Sequence, residues 1–272
     1  MTAGANPGPG RQVRVAAHQP GYHRHLYYYR KMAAADVFVS LDNVQFVARD
    51  WQNRQEFHHD GRRRWLSVPV NRGREQLRHK RIVDHAAVRR HWALIRSIYR
   101  GTPHFADYEE RLHAIYHQDW EFLRDLCDAL TSVVRDALGI ATPYVHGATL
   151  VPEPRNAKGA LLADLARGAA ERVGAAGARI TYLACAAPLQ ADHYLLRPGP
   201  EGARTEGDVL ADQGVELGVF DYRHPVYPQH QLPPGHPFEA ELSAFDLLFN
   251  AGPAARAVFS GAARAGARDS RR

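Results

Sequence analysis

The stretch Ala17-His18-Gln19-Pro20-Gly21-Tyr22 joins an apolar run to an aromatic segment, Leu26 to Met32. An imidazole titrates near neutrality, so His18 is a candidate general base or acid. Asp42 follows a second apolar run, Val37-Phe38-Val39-Ser40-Leu41. Its carboxylate can hold the His18 imidazole in one tautomer, and Gln45 can donate to a carbonyl oxygen. Asn53 and Arg54 suit an oxyanion, a carboxylate or a phosphate, the arginine through its planar fork. Cys185 ends a third apolar run, with His193 and His224 as candidate partners. A thiolate paired with histidine is a sound nucleophile for acyl transfer. Tyr222, His224, Tyr227 and Gln229 alternate with prolines in an extended segment that can wall a pocket.

Each candidate has a plainer alternative. His18 can be a turn histidine bonded to backbone. Asp42 can cap a helix or turn. Asn53 and Arg54 can open a surface strand, and the proline-rich segment can be a rigid loop packed on the core. Cys185 can be a small buried residue. Asp246 and Asn250 share one helix face and read as structural. Cys127 falls on the apolar stripe of a helix and reads as core. His58-His59 and His23-x-His25 have no companion at metal-ligand spacing, so they read as surface residues and no metal is expected.

The elements that must position these groups follow from periodicity. Arg11 to Ala17 reads as a strand, Tyr22 to Ala35 as a helix and Val37 to Leu41 as a second strand. Strand, helix, strand with short joints is a βαβ unit, so the two strands should run parallel. His18, Gln19 and Asp42 then leave the sheet at one edge, where open α/β sheets bind ligands. Gln55 to Phe57 and Trp65 to Val70 read as a hairpin around Asp60-Gly61. Asp84 to Arg100 and Ala106 to Leu138 are helical, the latter as one helix or two, closed by Gly139. Arg179 to Leu183 and Val215 to Tyr222 read as strands, and Ser243 caps a last helix, Ala244 to Asn250. The expected fold is α/β, a mixed sheet with an N-terminal βαβ unit and a central helical insertion over 84–138. Residues 1–10 read as a disordered tail, 11–255 as a single catalytic domain and 256–272 as a basic disordered tail.

The 272 residues are 45% hydrophobic and 24% charged, an ordinary globular composition. No apolar run reaches membrane-spanning length and no signal-peptide core is present, so the expected compartment is the cytoplasm. Two cysteines make neither a disulfide framework nor a metal motif. The net charge of +6 is concentrated in one segment and one tail. Arg62 to Arg81 carries eight cations against Glu75 alone, a net of +7. Such a patch docks phosphates, an acidic protein or nucleic acid, or is a salt-bridged face. Dinucleotide, Walker, zincin and nucleophile-elbow motifs are missing.

Three stretches jointly resemble the WbqC-like family: His18-Gln19-Pro20-Gly21-Tyr22 through Lys31; Asp42-Asn43-Val44-Gln45-Phe46 with Trp51-Gln52-Asn53-Arg54; and Tyr222 through Gln229 with Leu242 through Gly252. The resemblance runs from about Val13 to Gly252. It implies a protein of O-antigen or natural-product gene clusters, with a suggested role as a glycine or aminoacyl transferase. Where that family carries a Ser-Gly type turn, this chain has Ala184-Cys185-Ala186-Ala187.

The expected activity is amide formation. An activated acyl or aminoacyl group, carried as a carrier-protein thioester, passes to an amine of a sugar or small metabolite. His18, Asp42 and Cys185 are the catalytic candidates. Gln19, Tyr22, Gln45, Asn53, Arg54, Tyr222, His224 and Gln229 are the substrate-binding ones. No intrinsic cofactor is expected, the phosphopantetheine arm of the carrier being the donor. The segment Arg62–Arg81 would dock the acidic carrier; neither a membrane nor nucleic acid is an expected partner. The alternatives are a nucleotide-dependent transferase of the nucleotidyltransferase-like type and a thioester hydrolase using Cys185.

Overall fold

The computed structural model describes residues 12–155, 158–185, 193–196 and 204–264. In chain order the elements are β1 (Gln12–His18), α1 (Leu26–Ala34), β2 (Val37–Ser40), β3 (Arg54–His59), β4 (Arg62–Ser67), α2 (His85–Tyr99), α3 (Ala106–His117), α4 (Leu123–Leu138), β5 (Tyr144–His146), α5 (Gly147–Leu150), α6 (Lys158–Arg172), β6 (Arg179–Cys185), α7 (His193–Leu196), α8 (Glu206–Asp212), β7 (Val215–Phe220), α9 (Ala244–Ala251) and α10 (Ala255–Arg264). The chain divides into two compact units. The first comprises residues 1–19, 30–44 and 141–222, and the second residues 20–29, 45–140 and 223–272.

The first unit holds a five-stranded sheet of order β5-β2-β1-β6-β7, and every pairing in it is parallel. The chain steps from β1 outward to β2 and β5, then returns to β6 on the other side of β1. This reversal makes the sheet doubly wound, with its switch point between β1 and β6. Val13, Val15 and Ala17 of β1, Val37 and Val39 of β2, and Tyr182 and Ala184 of β6 alternate along their strands into one apolar core with α6. The α6 side of that core is mostly alanine: Ala163, Ala166, Ala169 and Ala170 are all buried, and such short side chains let the helix lie close on the strands. The βαβ unit stands as expected, since β1 and β2 are parallel. The parallel and antiparallel pairings expected of one sheet are divided between two sheets.

The second unit contains the antiparallel hairpin β3–β4 and helices α2, α3, α4, α9 and α10. The hairpin turns at Asp60 and Gly61, with φ of 51° and 72°, the positive pair that the Asp-Gly dipeptide favours. The Asp84 side chain caps α2 by accepting from Ala87 N. Chain 106–138 forms two helices, broken at Gln118–Phe122, and Gly139 closes the second with φ of 66°. An aromatic core fills the unit: Trp92 stacks on Phe105 and Tyr116, and Phe249 packs against Tyr99 and Phe105.

Two expectations change. Residues 255–264 form α10, so the first part of the expected disordered tail is a helix with Ala255 and Phe259 buried. The strand expected to end at Leu183 continues to Cys185. The expected N-terminal tail, 1–10, and the end of the C-terminal one, 265–272, lie outside the described residues, as does the side chain of His193. Among the described residues no helix is long and apolar enough to cross a membrane.

Candidate functional site

All five strands of the parallel sheet end at one level. His18 is paired with Ser40, and Ser40 with His146, each the last residue of its strand. Cys185 is paired with Phe220, again two strand ends. Val15 pairs with Tyr182, and three residues further along those two strands stand His18 and Cys185. The carboxyl edge therefore carries the row His146, Ser40, His18, Cys185. Registered neighbours in a parallel sheet share a face, and these positions alternate with the residues packed on α6. The row lies on the opposite face, and His18 and Cys185 flank the switch point where such sheets take their ligands.

Local contacts fix several members of this edge. The Nδ1 atom of His18 is 3.1 Å from the carbonyl oxygen of Gln19. A carbonyl only accepts, so Nδ1 carries the proton and Nε2 is the basic nitrogen. The tautomer role expected of Asp42 is thus filled by the backbone of Gln19. The fully buried Asp42 carboxylate accepts from Ala148 N at 2.8 Å through Oδ1. Its Oδ2 lies 3.4 Å from His146 Nδ1. Lys31, also fully buried, donates from Nζ to the Ala17 carbonyl at 2.9 Å and sits over the Tyr182 ring. The Tyr182 hydroxyl donates to the same carbonyl at 3.2 Å. Together they tie down the residue just before His18. Ser40 Oγ is buried and makes no hydrogen bond. Cys185 is fully buried at its strand end, and Tyr222 is half-buried two residues past β7.

His18, Asp42 and Cys185 are directly legible on this edge from the sequence, whereas His146, Ser40 and Lys31 are not. His146 had a usable signal: Tyr144-Val145-His146-Gly147 repeats, in three residues and a glycine, the pattern of an apolar run ending in histidine.

Three other candidates come together in the second unit. Gln45, Asn53 and Arg54 line a cleft of about 710 Å³, with Arg49, Arg72 and Arg74 around it. That volume suits a small-molecule site. The Arg54 guanidinium lies 4.1 Å over the Trp65 ring and bonds the Arg49 carbonyl, which holds it flat. Asn53 donates to the Val68 carbonyl at 2.9 Å, and its buried Oδ1 has no hydrogen-bond partner. Part of the basic segment is spent on internal pairs. Lys80 is buried against Glu75 and the carbonyls of Asn71 and Gly73, Arg63 pairs with Glu56 and Glu239, and Arg81 pairs with Glu121.

The remaining candidates of this unit are tied to other groups of the same unit. The Tyr22 hydroxyl is buried between His91, at 3.0 Å, and Tyr116, at 2.8 Å. Gln229 spends its amide on the Glu239 backbone and on Asp246. Asp246 accepts from Tyr99, Tyr227, Gln229 and Gln231 at once. Burial pushes its carboxyl up to about 6, and those four donors hold it from going higher. His224 bonds the Pro225 carbonyl through Nδ1, and desolvation lowers its imidazole.

A doubly wound parallel sheet with ionisable side chains at the carboxyl edge of its switch point sets the chain in the class of open α/β folds. Within that class the chain belongs to the WbqC-like protein family, whose profile matches residues 19–258. It is also similar to the uncharacterised protein Rv1507c of Mycobacterium tuberculosis, 27% identical over 243 residues that cover 88% of this chain and 94% of that protein. No solved structure matches the chain.

Proposed function

We propose that this protein is an acyl or aminoacyl transferase that moves an activated acyl group from a carrier-protein thioester to an amine. The observation that carries this reading is the placement of His18 beside the switch point with its Nε2 as the basic nitrogen. In the reaction His18 removes a proton from the attacking amine. The amine nitrogen bonds to the thioester carbonyl carbon, the carbon–sulfur bond breaks, and the departing thiolate takes the proton from His18. The Ser40 hydroxyl, next in the row, is the donor for the developing oxyanion, a role worth a few kcal/mol. Asp42 and Lys31 act as positioning residues, holding His146 and the end of β1. Cys185 is not required when the amine attacks directly.

The basic cleft supports the choice of partner. Carrier proteins are acidic and their prosthetic arm bears a phosphate, which suits Arg54, Arg72 and Arg74. The strand order favours a second reading, nucleotide-dependent transfer, because sheets wound this way bind nucleotides at the switch point. Against it, the joint His18-Gln19-Pro20-Gly21 has one glycine where phosphate cradles carry several.

Intact-mass spectrometry tests the proposal. The full-length protein, His18→Ala and Cys185→Ala are incubated with acyl- and aminoacyl-loaded carriers, with and without amine acceptors. Acceptor-dependent loss of acyl mass from the carrier, abolished in His18→Ala and kept in Cys185→Ala, is the expected result. A Cys185-dependent acyl adduct on the protein moves the mechanism to a covalent one. Calorimetric binding of a nucleoside triphosphate, with no unloading of any carrier, replaces the proposal by the second reading.

A further inference from the structure

Three side chains of ligand type converge in the second unit. They are His58 on β3 and, in the segment before α9, His236 and Glu239. Their ligand atoms all lie within 4.8 Å of one another. The His58 imidazole is buried and stands edge-on to that of His236, with centroids 4.7 Å apart. His236 Nε2 is 3.9 Å from Glu239 Oε1, too far for a hydrogen bond.

The surroundings orient the donors. His236 Nδ1 lies 2.8 Å from the Pro237 carbonyl, so Nδ1 carries the proton and Nε2 presents its lone pair. Metal-bound imidazoles are fixed in this manner by the nitrogen that does not ligate. Glu239 Oε2 accepts from Arg63 Nε at 3.0 Å and Nη2 at 2.5 Å, and Arg63 is held in turn by Glu56. The carboxylate is thereby clamped with Oε1 on the side of the histidines. His58 also lines a cavity of about 220 Å³.

We propose that His58, His236 and Glu239 form a binding site for a divalent transition-metal ion, zinc in the first instance. Two imidazoles and one carboxylate are a ligand set that zinc takes with one position left to water. A tetrahedral zinc holds its ligands roughly 3.4 Å apart, so rotations that move each donor by about an ångström complete the site. The bound ion would pin the β3 strand to the 236–239 segment. This inference does not depend on the transferase reading.

The full-length protein, stripped with a chelator, is titrated calorimetrically with zinc alone and, in parallel, with cobalt(II) for its visible spectrum. The expected result is one ion per chain, a raised unfolding temperature, and affinity at least about tenfold weaker in His58→Ala, His236→Ala and Glu239→Gln. His59→Ala, one residue off the cluster, keeps full affinity. Glu239→Gln is nearly isosteric and carries the test should a histidine variant fail to fold. Absence of stoichiometric binding, or binding undiminished in Glu239→Gln with the folded histidine variants, overturns the assignment.

Discussion

Asp42 Oδ2 lies 3.4 Å from His146 Nδ1 while the other oxygen of the same carboxylate accepts from Ala148 N. One buried group thus serves both the imidazole at the end of β5 and the start of α5. The two jobs separate chemically. Asp42→Asn keeps an oxygen for Ala148 N but removes the charge beside His146. It should unfold in urea within about 1 kcal/mol of the parent while acyl transfer falls. Asp42→Ala strands the amide and should cost about 1–3 kcal/mol in addition. Equal stability losses in the two variants would deny the capping role.

His18→Ala should lower transfer by about 10²- to 10⁴-fold, the usual contribution of a positioned general base. Cys185→Ala should leave turnover within a few-fold. Steady-state rates on one loaded carrier check both, and a collapse in Cys185→Ala would require a thioester on the enzyme.

Gly147 begins α5 where no side chain fits. A Cβ there would sit 2.6 Å from Asn43 Oδ1 and 3.1 Å from the Ser40 carbonyl. Asn43 cannot swing away freely, because its Nδ2 donates to the Val151 carbonyl. Gly147→Ala should therefore cost about 1–3 kcal/mol, the range for overpacking. Urea unfolding measures it, and a neutral outcome would mean that the β2–β5 edge gives way easily.

Much of this architecture is legible in the chain because local signals suffice. Asp60-Gly61 dictates its hairpin turn, Asp84 and Ser243 cap their helices, and Val13, Val15 and Ala17 alternate as a strand must. What escapes is whatever depends on partners distant in sequence. β5 has three residues, too few for a period, and its edge place comes only from pairing with β2. His58 finds His236 and Glu239 far along the chain. The two units interleave, the chain leaving the first at Gln19 and again at Val44, so no shift in composition marks a border. Spacing suggested Asp42 for the His18 tautomer; a backbone carbonyl does that work, and every residue type carries one.

Acid should destabilise the second unit through its buried histidines, against the pull of Asp246. Desolvation lowers His23 to about 3 and His91 to about 4. His23 is buried between Ser243 and Tyr116, and His91 bonds Tyr22. Each lowered imidazole contributes stability that is whole above the unfolded pKa of about 6.5 and is lost as the pH falls toward the folded value. Asp246 has the opposite sign. Its raised pKa of about 6 means that the folded state takes up a proton before the unfolded state does, so stability is gained as the pH falls from there toward the ordinary carboxyl range. Each proton of difference is worth about 1.4 kcal/mol per pH unit. Desolvation lowers His25 of the same unit to about 4 as well. Three histidines against one aspartate leave a net loss of roughly 2.8 kcal/mol per unit between pH 6 and 4 from these groups. Asp246→Asn removes the opposing contribution, so its stability should fall about one and a half times as steeply over the same range. It should also start lower at neutral pH, because an amide offers one acceptor oxygen where Tyr99, Tyr227, Gln229 and Gln231 all donate. Urea unfolding of both proteins at half-unit steps of pH reads the two slopes. Parallel slopes would show that Asp246 ionises at the same pH folded and unfolded, and a flat profile in the parent would return His23, His25 and His91 to ordinary titration.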